Sequence, residues 1–353
     1  MGPTIKPLLT DLTRDGLRAA LADMGQPAYR GDQVWSGLYS SLAGGVEAMT
    51  TLPAALRTAL AERYVFPALR PVADAHSADR RTWKVLFELA DGETIESVLM
   101  RYEKRDTVCV STQVGCAVGC SFCATGQSGF RRNLSAGEIV EQALLFARDL
   151  LAQQERLSNI VFMGMGEPLL NYEATWQAIA VLNDPRGFNL GARHMTLSTS
   201  GVVPGIDRMS AEPLQVGLSV SLHAPDNALR DRLVPINRRY PVDVLLSACR
   251  RYITRTNRRV TFEYALMDGV NDAPEQAAAL ARLVTGMLCH VNLIPANCTA
   301  DASLRPSPRE RVDAFAAILA AQHIPATMRL ARGADIQAGC GQLRSREAKR
   351  REN

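Results

Sequence analysis

Cys116-Ala117-Val118-Gly119-Cys120-Ser121-Phe122-Cys123 sets three thiols in one short run, with three and then two residues between them. Thiols at that spacing can converge on a single inorganic centre. A [4Fe–4S] cube is normally held by four thiolates. Three ligands with no fourth in the run leave one iron open to another molecule. The same soft thiolates suit a structural zinc knuckle, so the run by itself leaves both readings open.

Other residues able to do chemistry are scattered along the chain. Gly164-Met165-Gly166-Glu167-Pro168 combines a carboxylate with glycines that let the backbone approach a ligand closely. Ser198, Ser221-Leu222-His223 and Asn297 are short polar groups suited to a ribose or a carboxylate. Loop capping explains any one of them; it does not explain why each falls at the end of a strand-like run. Two cysteines stand apart from the cluster run. Cys109 lies seven residues before it, and Cys340 sits among glycines in Gly339-Cys340-Gly341-Gln342. Cys249, Cys289 and Cys298 lack such a setting, and Cys249 reads as a small buried hydrophobe.

The elements that must position these groups follow from periodicity. Helical patterns over 9–24, 30–39 and 53–64 form a small helical region, the third opened by Pro53. Around 73–80 the composition turns polar, which marks a boundary. Residues 81–89 and 94–102 alternate with a period of two around Ala90-Asp91-Gly92-Glu93, which predicts a hairpin. Strand-like runs follow at 107–112, 159–165, 194–200, 215–223, 259–267, 291–295 and 327–331. Helical runs at 135–152, 172–182, 242–254, 273–285 and 308–322 separate most of them. Ser135-Ala136-Gly137-Glu138 reads as a capping box, which makes Glu138 structural. Repeated βα units predict parallel strands with right-handed crossovers, as an open sheet or a barrel. In such barrels the chemistry sits at the C-terminal strand ends, where the residues singled out above fall.

The chain has 353 residues, 47% hydrophobic and 22% charged, which is ample for a full core. No apolar run reaches the length of a membrane span, and the first residues lack a signal-peptide pattern. Eight cysteines are too sparse for a disulfide scaffold and point to a reducing cytoplasm. The net charge of +4 is unevenly spread. Arg131-Arg132, Arg238-Arg239, Arg250-Arg251, Arg258-Arg259 and the tail from Arg344 to Arg351 are basic clusters that fit a polyanionic substrate.

With these stretches assembled, the chain resembles the radical-SAM adenine-C2 methyltransferases of ribosomal RNA. The resemblance runs through Ile95-Glu96-Ser97-Val98, Cys109 to Cys116, the cluster run, and Phe162 to Asn171. It continues through Leu197 to Gly201, Ser219 to Ala224, Val291 to Pro295 and Gly333 to Leu343. It implies an α/β fold: a partial (βα)6 TIM-like barrel over 104–343, a helical RNA-docking domain over 1–75, a β-hairpin extension over 76–103 and a basic tail over 344–353. It implies Cys116, Cys120 and Cys123 as ligands of a [4Fe–4S] cluster. S-adenosylmethionine (SAM), two molecules per turnover, would be bound by Gly166, Glu167, Ser198, Ser221, Leu222, His223 and Asn297. The catalytic residues it implies are Cys340 as methyl carrier, Cys109 as its resolving partner through a disulfide, and Glu96 as proton acceptor. After the sixth strand this chain reads Ala296-Asn297-Cys298-Thr299, where the family more often has Asn-Pro.

The implied substrate is adenine 2503 of 23S rRNA, with adenine 37 of some tRNAs as a second target. A reductant such as flavodoxin or ferredoxin is implied, as is a cytoplasmic monomer with no membrane partner. Two alternatives stand beside this reading. One is the related C8 methyltransferase, disfavoured by the Gly-Glu-Pro-Leu-Leu-Asn wording of 166–171. The other is a non-catalytic zinc- or RNA-binding protein.

Overall fold

The computed structural model describes residues 6–296, 304–328 and Ile336. The chain opens with helices α1 (Arg14–Asp23), α2 (Tyr29–Tyr39) and α3 (Ala54–Arg63). Thr13 caps α1 by accepting from the Gly16 N–H, and Pro53 starts α3 where a missing N–H costs nothing. Three antiparallel strands follow: β1 (Arg70–His76), β2 (Thr82–Glu88) and β3 (Thr94–Tyr102). The predicted hairpin is therefore the inner part of a three-stranded meander. β1 falls largely where polar composition suggests a boundary, because it is an edge strand with no buried residue and a bulge between Pro71 and Ala73.

The core then alternates. Strand β4 (Arg105–Cys109) leads to a small ribbon of β5 (Gln113–Gly115) and β6 (Phe130–Asn133), with the short helix α4 (Ala124–Gln127) between them. Helix α5 (Ala136–Ala152) and strand β7 (Asn159–Phe162) complete the first unit. Next come α6 (Tyr172–Asn183), β8 (Met195–Thr199), α7 (Val203–Met209), β9 (Gly217–Ser221), α8 (Asn227–Leu233) and α9 (Val242–Thr256). The series ends with β10 (Val260–Leu266), α10 (Pro274–Val284), β11 (Cys289–Pro295), α11 (Arg309–Ala321) and β12 (Ala326–Met328). Among the described residues β4 and β7 to β12 pair in parallel and in chain order, with β1 to β3 added antiparallel beyond β4. This is an open α/β barrel of six strand–helix units, extended at one edge.

Apolar residues sort the two faces of the sheet. Val85, Phe87, Ile95, Leu99, Val108, Leu197, Leu218 and Val220 join one core with α5, α6 and the N-terminal helices. Leu9, Leu17, Leu21, Trp35 and Leu60 belong to that same core, each contributing roughly 2 kcal/mol by burial. Polar contacts fix the docking. Thr10 Oγ1 donates to Glu141 Oε1 at 2.7 Å, the Ala68 N–H to Glu141 Oε2 at 2.6 Å, and the Gly137 N–H to Asp11 Oδ1 at 2.7 Å. The N-terminal helices are thus held against α5. Ser135 and Glu138 form the expected capping box. No helix among the described residues is long and apolar enough to cross a membrane.

Candidate active site

The three-cysteine loop spans the gap between β5 and α4. Gly115 enters it at φ +77°, and a Cβ there would fall 1.8 Å from the Gly129 carbonyl oxygen. That close approach lets the Cys116 N–H donate to Gly129 O at 3.0 Å. At its middle the loop is tied to α8, where the Ser121 N–H donates to Leu233 O at 3.1 Å. Cys116, Cys120 and Phe122 lie on an apolar patch of Val118, Leu229, Leu233, Val234, Ala265 and Met267.

Burial pushes the Cys116 thiol up to about 12 and Cys120 well above its ordinary value. The charges of Glu167 and Cys123 raise Cys116 further, and those of Cys123 and Cys116 raise Cys120. The three sulfurs therefore feel one another. Among the described residues no three His, Cys, Asp or Glu groups close on a single metal ion. Three soft thiols on one loop, Cys116 and Cys120 desolvated, suit an iron–sulfur cluster, whose positive irons would hold them as thiolates.

Glu167 lies directly behind this loop. Gly164 N donates to Val110 O at 3.0 Å, Met165 N to Ser111 Oγ at 2.9 Å, and Glu167 N to Gln113 Oε1 at 2.8 Å. Gly166 has φ +101° and leaves no room for a Cβ, which would fall 2.5 Å from the Gln113 Cβ. The Glu167 carboxylate is 3% exposed and accepts from Ser200 N at 2.7 Å, Ser200 Oγ at 2.6 Å and Leu169 N at 3.1 Å. Burial raises its pKa, and the Ser200 hydrogen bonds oppose that rise.

Ser198, Ser219 and Ser221 alternate with the outward apolar residues of β8 and β9, so they face the barrel interior. Leu222 and His223 follow at the strand end. His223 adopts φ +59°; its Nδ1 accepts from Ala265 N at 2.9 Å, which places the ring proton on Nε2. Burial, then the Arg230 charge, drive its pKa down to about 3, so the ring stays neutral. It meets Phe122 edge-on at 4.7 Å, which makes it a prop for the cluster loop.

Glu96 and Cys109 lie on a neighbouring part of the same interior. Cys109 pairs directly with Val98, and Lys84 also pairs with Val98, so these side chains share the face opposite the apolar core. Lys84 Nζ stands 2.7 Å from Glu96 Oε2, with the two side chains 0% and 2% exposed. Ser97 Oγ donates to Cys109 O and Ser111 Oγ to Glu96 O, both at 2.6 Å. Through Ser111 this pair connects to Met165 and so to the Glu167 loop. Asn297, Cys298, Cys340 and the basic tail lie outside the described residues.

Two residues joined to the site, Lys84 and Arg230, carry no sequence signal: Lys84 sits in an alternating strand like any other, and Arg230 lies on a seven-residue helix. Gln113, inside the Cys109 to Cys116 stretch, bridges the ribbon to Glu167. The basic clusters need correction, because they do not all flank the site. Arg132 is bound by Asp91 at 2.6 Å and by Glu138 through two bonds of 2.8 Å. Arg251 is held by Asp207. Arg258 and Arg259 line a cleft of about 560 Å³ with Arg193 and Gln215 at the N-terminal strand ends, opposite the cysteine loop. Exposed Arg131, beside Phe130 at 45% exposure, and Arg238-Arg239 just after α8 remain near the loop.

Comparison with known proteins bears on this geometry. Residues 110–281 match the Radical SAM superfamily, and residues 8–65 match the ribosomal RNA large subunit methyltransferase N-terminal domain. A protein of Chloroflexus aurantiacus named probable dual-specificity RNA methyltransferase RlmN is 50% identical over 96% of this chain and 93% of its own length. A protein of the same name from Moorella thermoacetica is 50% identical over 91% and 92%. The crystal structure of a radical SAM methyltransferase from Sphaerobacter thermophilus superposes with a TM-score of 0.94 at 54% identity, covering 95% of this chain and 98% of that one.

Proposed function

The chain belongs to the RlmN family of radical SAM RNA methyltransferases, and from that premise we propose that it methylates carbon 2 of adenine 2503 in 23S rRNA. Adenine 37 of tRNA is the second substrate in this reading, in keeping with the dual specificity in the relatives' names. The observation that carries it is the shared interior face of Glu96 and Cys109, continuous through Ser111 with the Glu167 loop.

Carbon 2 of adenine is electron-poor, so it cannot displace the methyl group of SAM directly. Cys116, Cys120 and Cys123 would hold a [4Fe–4S] cluster, which would supply the electron for reductive cleavage of SAM and so open radical chemistry. The remaining work falls to the chain. Cys340 takes a methyl group from one SAM, forming a sulfur–carbon bond and releasing S-adenosylhomocysteine. A hydrogen atom of the S-methyl group would pass to the 5′-deoxyadenosyl fragment of the second SAM, that carbon would bond to C2, and the adduct would give one electron back to the centre, which leaves the RNA tethered to Cys340. Glu96 accepts the C2 proton, with Lys84 holding its carboxylate in place. The Cys109 thiolate then attacks the Cys340 sulfur; the sulfur–carbon bond breaks, the carbon stays on C2 and takes up a proton, and a disulfide remains. Gly166, Glu167, Ser198, Ser221, Leu222, His223 and Asn297 form the SAM site. A flavodoxin or ferredoxin is the electron donor.

Mass spectrometry of rRNA and tRNA from a deletion strain tests the proposal. The account expects 2-methyladenosine to vanish at both positions and to return with the wild-type chain. Loss of 8-methyladenosine, or an unchanged methylation pattern, would overturn it.

A further inference from the structure

Arg230 is 0% exposed and is among the largest fully buried side chains in the described residues. Its Nε donates to Leu222 O at 3.0 Å, Nη2 to Ser200 O at 2.6 Å and Ser221 O at 3.0 Å, and Nη1 to Asn237 Oδ1 at 3.1 Å. All four acceptors are neutral. Among the described residues no carboxylate lies within ion-pair distance of this guanidinium, whereas the other fully buried cation, Lys84, has Glu96. The adjacent Asp231 instead accepts from Asn237 Nδ2 at 2.6 Å. A buried cation without a countercharge is costly. This one is nevertheless built in, and it joins the ends of β8 and β9 where the SAM residues lie.

Its surroundings identify the missing anion. Arg230 lies on α8 between Leu229 and Leu233, which belong to the apolar patch under Cys116 and Cys120, and Leu233 O holds the Ser121 N–H of the cysteine loop. Burial lowers the Arg230 pKa, and the groups that oppose it are Cys120 first, then Cys249 and Asp231. Cys249 is buried in the apolar core, where a thiol stays neutral. Cys120 is a thiol only until iron binds it. A [4Fe–4S] cube in its oxidised 2+ state, held by three thiolates, carries one net negative charge. Accepting one electron from a low-potential donor of the flavodoxin or ferredoxin class makes that two. Net charge and nearby charges are among the determinants of such a cluster's reduction potential.

We propose that Arg230 is the internal counter-charge of the iron–sulfur centre, a positioning residue that favours the reduced cluster while tying the ends of β8 and β9 together. The proposal rests on the assignment of Cys116, Cys120 and Cys123 as cluster ligands. It goes beyond that assignment by making a residue remote in sequence a determinant of the potential.

The test is an anaerobic redox titration of the full-length, cluster-loaded protein without SAM, followed by electron paramagnetic resonance. Iron and sulfide content and far-ultraviolet circular dichroism are measured alongside. Arg230→Gln should lower the midpoint potential by at least about tenfold in the reduction equilibrium, which is about 59 mV for one electron. Arg230→Lys, which keeps the charge, should stay close to wild type. Asn237→Asp sets a carboxylate against Arg230 Nη1 with almost no change in volume. It should shift the potential in the same direction as Arg230→Gln, and it carries the test if Arg230→Gln does not fold. A folded, loaded Arg230→Gln or Asn237→Asp protein with wild-type potential would overturn the proposal, as would equal shifts in the Gln and Lys variants. A wild-type protein that takes up no iron or sulfide would instead overturn the cluster assignment itself.

Discussion

Replacing Lys84 by Met should destabilise the protein severely, and replacing its partner as well should restore it. Lys84 and Glu96 stand 2.7 Å apart at 0% and 2% exposure. At an effective dielectric of about 20, two unit charges at that separation attract by about 6 kcal/mol. Desolvation of both groups offsets most of that gain, so the intact pair contributes little net stability. Breaking it is different. Lys84→Met leaves the Glu96 carboxylate buried without its cation, at a cost of about 3–5 kcal/mol. Lys84→Met combined with Glu96→Leu fills similar volume without charge and should recover most of the loss, or exceed wild type by about 1–4 kcal/mol. The assay is anaerobic urea unfolding of wild type, both single variants and the double variant, analysed as a double-mutant cycle. Methylation is read on the same proteins, and the rescued double variant should still fail because it lacks Glu96, the proposed proton acceptor. A Lys84→Met variant within about 1 kcal/mol of wild type, or additive losses in the double variant, would refute the reasoning.

Three further outcomes follow. Because the His223 pKa is held at about 3 in the folded protein, the unfolded chain alone takes up a proton below about 6.5, so this group's stabilisation is present above that pH and is lost toward pH 3. His223→Asn keeps an acceptor for Ala265 N, so between pH 7 and 5 the iron-free variant should lose about 2 kcal/mol less than wild type in urea unfolding; equal losses would contradict it. Arg131→Ala should flatten the salt dependence of RNA binding by up to about one unit of slope, whereas Arg132→Ala, which breaks ion pairs to Asp91 and Glu138, should chiefly lower stability; reversed effects would place the RNA elsewhere. Cys123→Ala should abolish the iron–sulfur absorbance and Cys109→Ala should retain it, while equal iron loss would refute the ligand assignment.

Much of the architecture was legible because strand and helix periods alternate over most of the chain beyond residue 104, and because helix starts carry local signals such as Ser135-Glu138; α7 and α8, seven residues each, are too short to show a period. The cysteine run was legible for the same reason, its three thiols being neighbours in sequence. What could not be read depends on distant segments meeting. Strand β1 is half-exposed along its length, so its burial pattern is too weak to signal a strand. The role of Lys84 emerges only when β2 registers against β3. Arg230 stands out only when its four acceptors, three of them backbone carbonyls at strand ends, surround it. Arg132 looks like a phosphate ligand until Asp91, forty-one residues away, is found beside it. The assignments of Asn297 and Cys340 rest on sequence, since both lie outside the described residues.

The central claim is that Cys340 carries the methyl group and Cys109 releases the tethered RNA. The direct measurement expresses Cys109→Ala with its RNA, separates the protein on denaturing gels, and maps any nucleotide adduct by mass spectrometry. The account predicts accumulated protein bonded through Cys340 to C2 of an adenine, with no such species from Cys340→Ala. A Cys109→Ala protein that remains active and free of crosslink would contradict it.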